Sequence, residues 1–328
     1  MSAETAERTL ERKLDTLFEL REGCGFDRDG LRDRLAALAA RGVFIGGSSW
    51  KYEGWIDQIY SRSLYETRGR FSKKRFEDTC LSEYATVFPT VCGDFAFYQF
   101  PSDALWSKLF RQTPGAFRWG LKAPEQITTP EWPVHPRYGE LAGLENHTFL
   151  DAGLLASAFL GPLAAYRAQV GVVIFEFNAL RAKGDAAEFV VKLDPFLAAL
   201  PAGWRYAVEV RNAELLSARY FDCLRAHNVP HVYNAWTRMP EIREQMAMRR
   251  SRTADLIVAR ALLRRGRPYA EAVDKFAPYA RVQEVNEPIR QALRELVDMA
   301  VVDGTPAFIF VNNRLEGNSP GTMVAIAG

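Results

Sequence analysis

Arg205-Tyr206-Ala207-Val208-Glu209-Val210-Arg211 is the stretch on which the fold turns. Successive side chains of an extended strand point to opposite faces, so Tyr206, Val208 and Val210 share one face and Ala207, Glu209 and Arg211 the other. One face is apolar, suited to packing under helices. The other carries two charges at the carboxyl end, which is the end where strands of a closed parallel barrel present their functional groups.

Working outward, runs of the same kind recur along the chain. They are Val43 to Gly47, Val91 to Tyr98, Phe117 to Lys122, Val172 to Phe177, Arg205 to Arg211, His231 to Asn234, Leu256 to Arg260 and Ala307 to Asn312. Helical patterns lie between them, among them Asp103 to Arg111, Ala186 to Leu200, Leu215 to His227 and Glu287 to Met299. Alternating strand and helix predicts an α/β protein with a parallel sheet, and eight repeats predict closure into a (β/α)8 TIM-type barrel over residues 43–328. Residues 1–42 read as a helical extension. Leu10, Leu14, Leu17 and Leu20 recur at helical steps, and Leu31, Leu35 and Leu38 do so again after a turn at Asp27 to Gly30. Gly46-Gly47-Ser48-Ser49 after the first strand lacks both the third glycine of a dinucleotide fingerprint and the lysine of a phosphate-binding loop.

Composition narrows the class. With 328 residues, 48% hydrophobic and 25% charged, the chain can bury a large core, which excludes disordered and fibrous classes. A net charge of +2 does not indicate a dedicated nucleic-acid binder. Cys24, Cys80, Cys92 and Cys223 are far apart with no CxxC pair, so reduced cytoplasmic thiols are expected. No apolar run reaches the roughly 18 residues of a membrane span, and the amino terminus is charged; the expected location is cytoplasmic, with no membrane partner.

Strand parity selects the candidate site. Lys122, Glu176, Glu209, Arg211, Arg260 and Asn312 point inward near the carboxyl ends of five strands, with Asn313 in the adjoining loop. Charges gathered this way are costly to desolvate unless they pair with one another or with a ligand. Arg211 and Arg260 suit bidentate grip on a carboxylate or phosphate, and Glu209 or Glu176 suits general acid or base work. Lys122 reads as a charge clamp ahead of an imine-forming nucleophile, because the neighbouring carboxylates favour the protonated amine. Trp50 and Tyr52 after strand one, Tyr98 at the end of strand two and Trp236 after strand six are candidates for stacking on a substrate ring, with core packing as the plainer role.

These residues carry a family pattern. Gly46-Gly47-Ser48-Ser49-Trp50-Lys51-Tyr52-Glu53-Gly54-Trp55 resembles the opening signature of the YecE-like family, also called domain of unknown function 72. Further matches are Phe97-Tyr98 with Pro101-Ser102, Phe117-Arg118 leading to Lys122, Ile127-Thr128, Val208-Glu209-Val210-Arg211, Arg260, and Asn312-Asn313 with Gly317. The resemblance implies a TIM-barrel-type fold and no established reaction. The chain departs from the family pattern at Cys92 and Asp94 on strand two, at Glu176-Phe177-Asn178 ending strand four and at Asn234 on strand six.

The reading that follows is an uncharacterised barrel protein, expected to be an enzyme acting on a small anionic partner, a phosphate- or carboxylate-bearing substrate, without a cofactor. Three other readings compete. A metal-dependent phosphoesterase or endonuclease-like barrel needs ligands that His135, His147, His227 and His231 do not supply at strand ends, which argues against zinc at the rim; magnesium on Glu176, Glu209 and Asp94 is the form left open. A glycosidase needs two flanking carboxylates, for which Glu176 and Glu209 qualify, but strand seven ends in Arg260. A non-catalytic barrel binding nucleic acid or an acidic protein would use the segment Arg238 to Arg267, where nine arginines face three acidic residues for a local charge of +6. A solvated helical face is the plainer reading of that segment.

Overall fold

A computed structural model describes residues 25–178 and 186–328. The eight predicted strands are all present: β1 (Val43–Gly47), β2 (Thr90–Gly93), β3 (Arg118–Lys122), β4 (Val170–Phe177), β5 (Tyr206–Val210), β6 (Val232–Ala235), β7 (Ile257–Ala261) and β8 (Ala307–Val311). They form one parallel sheet in the order β5-β4-β3-β2-β1-β8-β7-β6. The sheet curls until its two ends meet. At that seam β5 and β6 share a single bridge, Val208 with His231, and the Val208 amide donates to the Pro230 carbonyl at 3.0 Å.

Side chains complete the seam that the ladder leaves short. Asn234 Nδ2 donates to the Val210 carbonyl across it at 3.1 Å. Gln245 grips the Asn234 backbone on both sides, accepting from its amide at 3.2 Å and donating to its carbonyl at 2.7 Å. His231 lies 3.2 Å from both Tyr220 Oη and Gln245 Oε1. Burial pushes the His231 pKa down to about 4, against the pull of the Gln245 contact, so the ring is neutral in the folded chain near neutral pH.

Strand parity divides the core in two. Cys92, Val172, Ile174, Ala207, Val232, Leu256, Val258, Phe308 and Phe310 fill the lumen. Tyr206, Val208, Val210, Val173 and Phe175 lie in the larger shell between strands and helices. The lumen is packed rather than hollow, and Gly120 shows why a glycine sits there: a Cβ at that position would stand 2.4 Å from the Phe310 ring.

The labelled helices of the shell are α1 (Arg28–Ala40), α2 (Lys73–Tyr84), α3 (Asp103–Phe110), α4 (Ala186–Ala198), α5 (Ala218–Ala226), α6 (Ile242–Ala247), α7 (Tyr269–Phe276), α8 (Glu287–Asp303) and α9 (Ser319–Ile326). Their starts follow capping chemistry. Ser102, Ser217 and Asn318 accept from the backbone amides that open α3, α5 and α9. For that reason α5 begins at Ala218, later than the expected Leu215, after a short 3-10 turn at Ala213–Leu215. Helix α8 runs past the expected Met299 and stops at Gly304, whose φ of 63° only glycine adopts without strain.

Two further expectations are revised. Asp27 is the N-cap of α1, its side chain accepting from the Gly30 amide, so Asp27 to Gly30 opens a helix rather than forming a free-standing turn. Leu31 and Leu35 of α1 are fully buried in the same core as β1, whereas Leu10, Leu14, Leu17 and Leu20 lie outside the described residues. Strand two ends at Gly93, and the chain from Asp94 to Tyr98 is loop. No helix among the described residues is long and apolar enough to cross a membrane.

Candidate functional site at the carboxyl-end rim

Glu176 and Glu209 sit side by side in the β4–β5 register, and Arg260 stands opposite Asn234 and Phe310 on β7. All three project into the top of the lumen, above the apolar layer. The expected cluster therefore assembles. Arg211 Nη2 donates to Glu176 Oε2 at 2.8 Å, and Lys122 Nζ lies 3.1 Å from Glu176 Oε1. Arg260 Nη1 bridges Glu176 Oε2 and Glu209 Oε2. Arg211 Nε stands 2.7 Å from Glu209 Oε1, off the hydrogen-bond direction, so this contact joins charges without a well-aimed bond.

Five charged side chains are thus buried together: Lys122 at 6% exposure, Glu176 at 5%, Glu209 at 0%, Arg211 at 4% and Arg260 at 2%. Three cations against two carboxylates leave one positive charge in excess. Asp94, read from sequence as a departure on strand two and as a candidate magnesium ligand, supplies the balance from the loop above. Its carboxylate lies 3.6 Å from both Lys122 Nζ and Arg260 Nη2, and its side chain is 47% exposed. It is the loosest member of the network and the one that solvent meets.

Burial alone would raise the Glu176 pKa. Arg211, Lys122 and Arg260 outweigh it and hold the carboxyl well below the ordinary range, so Glu176 is ionised. Burial likewise works against the charge on Arg260, but Glu209, Glu176 and Asp94 keep its pKa well above the ordinary value. The Cys92 thiol beneath them is pushed up to about 12 by burial, with Arg260 opposing, and stays protonated.

Aromatic faces line the cations. The Lys122 ammonium sits 3.8 Å from the centre of the Phe97 ring, and the Arg211 guanidinium 3.9 Å from the Trp236 ring. Trp236, expected as a stacking residue, is therefore at the site with Arg211 on it. Phe97 carried no signal of its own beyond lying in a family motif. Tyr98 follows Phe97 in the same loop, is 51% exposed and has the Arg137 guanidinium 4.0 Å from its ring centre. Trp50 is 6% exposed and packs edge-on against Phe95 and Trp119. Tyr52 packs on Trp55 and Tyr279, and burial raises its hydroxyl pKa to about 12, against the influence of Arg314.

The two asparagines order the neighbouring loops. Asn312 Nδ2 donates to Ser48 Oγ while its Oδ1 accepts from the Arg314 amide at 2.9 Å. Asn313 Oδ1 accepts from Trp55 Nε1 at 3.2 Å and from the amide and hydroxyl of Ser319 at 2.7 and 3.0 Å. Besides Glu209 Oε1 and Arg211 Nε, the atoms Asn313 Nδ2, Asn234 Oδ1 and Arg260 Nε of this region are buried without a hydrogen-bond partner among the described residues.

Magnesium fits this donor set poorly. Glu176 Oε1 already faces Lys122, Oε2 faces Arg211 and Arg260, and Glu209 is gripped by both arginines. A divalent ion would have to displace cations from each carboxylate.

The sequence of residues 44–328 matches the family described as "Protein of unknown function DUF72". The chain belongs to the DUF72 family. Solved structures of other DUF72 proteins share the fold. One from Enterococcus faecalis V583 is 16% identical, with a TM-score of 0.57, covering 87% of this chain and 94% of its own. One from Thermotoga maritima MSB8 is 17% identical, with a TM-score of 0.58, covering 86% of this chain and 97% of its own. At such identity the likeness speaks for the DUF72 barrel alone. No curated protein matches the chain.

Proposed function

We propose that this DUF72 barrel is an enzyme acting on a small phosphate- or carboxylate-bearing substrate held at the carboxyl-end rim. The observation that carries the reading is the excess of one buried cation beneath a single half-exposed carboxylate, Asp94, held only at 3.6 Å. Burying ionised groups costs several kcal/mol each, roughly, and a buried network is a poor route to stability compared with apolar packing of the same volume. A rim that carries such a network is better accounted for by a ligand that uses its charge.

In this reading Lys122 and Arg211 make the anion contacts, and Arg260 adds positive potential from below. Glu209 and Glu176 are positioning residues. Each is held in a salt-bridge lattice that orients the guanidinium planes, and Glu209 is closed off from solvent. Asp94 is the carboxylate that meets the reacting part of the substrate and exchanges a proton with it. Trp236 and Phe97, already backing the two cations, shape the apolar side of the pocket.

Calorimetric titration with inorganic phosphate, small carboxylates and a panel of sugar phosphates tests this. Binding of at least one of these anions, weakened at least about tenfold in Lys122→Met, is the expected result. Absence of binding across the panel, or binding that Lys122→Met and Arg211→Met leave unchanged, would overturn it.

A further inference from the structure

A second group of donors lies toward the opposite end of the barrel, on the outer helices. Asp194 of α4, Cys223 of α5 and His227, the residue that ends α5, each bring one ligand atom within 4.8 Å of the other two. His227 Nε2 is 2.8 Å from Asp194 Oδ1, and Cys223 Sγ is 3.8 Å from the same oxygen. Among the described residues this is the one set of three histidine, cysteine or acidic groups in such mutual reach.

The three donors differ in kind, and the combination is selective. A thiolate, an imidazole and a carboxylate are the ligand types of zinc, whose tetrahedral bonds of roughly 2.0–2.3 Å place donors about 3.3–3.7 Å apart, so the His227–Asp194 pair at 2.8 Å must open while the wider separations, up to 4.8 Å, draw in. Small rotations of Asp194 and His227 supply both movements, since their side chains are 60% and 20% exposed. The end of α5 contributes too: the carbonyls at a helix carboxyl terminus carry partial negative charge that favours a cation beside His227. Cys223 and Asp194 line a shared surface cleft with Val190, Val191, Arg219 and Asp222, so an ion reaches the donors from solvent. Of the charged neighbours, Asp222 is held by Arg225 and Arg250, and Arg219 is the one cation along the cleft wall.

We propose that Asp194, Cys223 and His227 form a three-ligand site for a zinc-like divalent ion, with the fourth position open to solvent. In the free chain the Cys223 thiol is pushed up to about 11, by burial first and by Asp194 second, so it is protonated near neutral pH. Ion binding forms the metal–sulfur bond and releases that proton to the buffer, leaving a neutral ensemble of one divalent cation, one thiolate, one carboxylate and a neutral imidazole. The bound ion ties α4 to α5 and so clamps the β4–α4 and β5–α5 units beside the barrel seam.

Titration of the full-length, metal-free protein with cobalt(II), followed by displacement with zinc, tests the site. The expected result is a thiolate-to-cobalt charge-transfer absorption saturating at one equivalent, lost in Cys223→Ser, retained in Cys24→Ser, and weakened at least about tenfold in affinity in His227→Gln. Circular dichroism of each variant separates loss of the site from loss of the fold, and His227→Gln, at a partly exposed position, guards against a misfolded Cys223 variant. No charge-transfer band in the wild-type protein, or a band that survives in Cys223→Ser or is unaffected in His227→Gln, would overturn the proposal.

Discussion

Two regions of this barrel are rich in arginine, and they differ in where the partners lie. At the rim, Arg211 and Arg260 are buried and share Glu176 and Glu209, with Lys122 and Asp94 alongside. In the segment from Arg238 to Arg267 the arginines other than Arg260 stand mostly at the surface, and most of their acids come from elsewhere in the chain. Arg243 pairs with Glu295, Arg250 with Asp222, Arg252 with Asp303, Arg264 and Arg267 with Glu284, and Arg265 with Glu244. The local charge of +6 read from sequence is therefore partly offset in space, with Glu284 shared among Arg264, Arg267 and Lys275 and Asp222 shared between Arg225 and Arg250, which weakens the case for a polynucleotide surface. The comparison teaches that the same residue type marks a site in one place and a solvated surface in the other, and that desolvation makes the difference.

Replacement of one rim carboxylate should have the largest effect. Glu209→Gln leaves Arg211 and Arg260 with one fewer counter-charge in a closed environment, and urea unfolding is expected to show a loss of about 3–5 kcal/mol. Arg252→Ala, which breaks a pair 45% and 37% exposed, is expected to cost no more than about 1 kcal/mol in the same assay. Similar losses in both would erase the distinction drawn between the regions.

The pH dependence of stability sharpens it further. His231 has its pKa lowered to about 4 from 6.5 by burial, so the unfolded chain binds the extra proton first. Stability falls as pH drops from about 6.5 toward 4, by up to about 3 kcal/mol, and His231→Gln should remove this leg of the curve. Glu176 is held below its ordinary 4.5, so its contribution is present above that pH and is lost as pH falls through the folded-state value. Surface pairs contribute little to either leg, and raising salt to 1 M should alter the profile only slightly, because buried pairs are weakly screened. The smallest expected effect is on nucleic acid: retention on a polynucleotide resin near physiological salt should be negligible, and strong salt-sensitive retention would restore that reading.

Much of the barrel was legible because its signals are local and periodic. Alternation in residues 205–211 sorted lumen from shell correctly, as the separation of Ala207 from Val208 into two core clusters shows. The same parity brought Lys122, Glu176, Glu209, Arg211 and Arg260 to one rim. What sequence reading missed depends on three-dimensional proximity. Asp94 was expected within a strand, but the chain leaves the ladder after Gly93, and the resulting loop places its carboxylate over the cations. Trp50, for which core packing is the plainer expectation, lies in the core between Phe95 and Trp119. His227 and Cys223 carried no metal-ligand spacing, because their third partner, Asp194, comes from the preceding helix 33 residues from His227.

The central claim is that the buried cations at the rim serve an anionic substrate, and a crystal structure of the protein soaked with sugar phosphates tests it most directly. The account predicts density for a phosphate or carboxylate within about 3 Å of Lys122 Nζ and the Arg211 guanidinium, with Asp94 displaced from its place between Lys122 and Arg260. A rim that stays empty at saturating ligand, with Lys122 and Arg211 still held by Glu176 and Glu209, would contradict it.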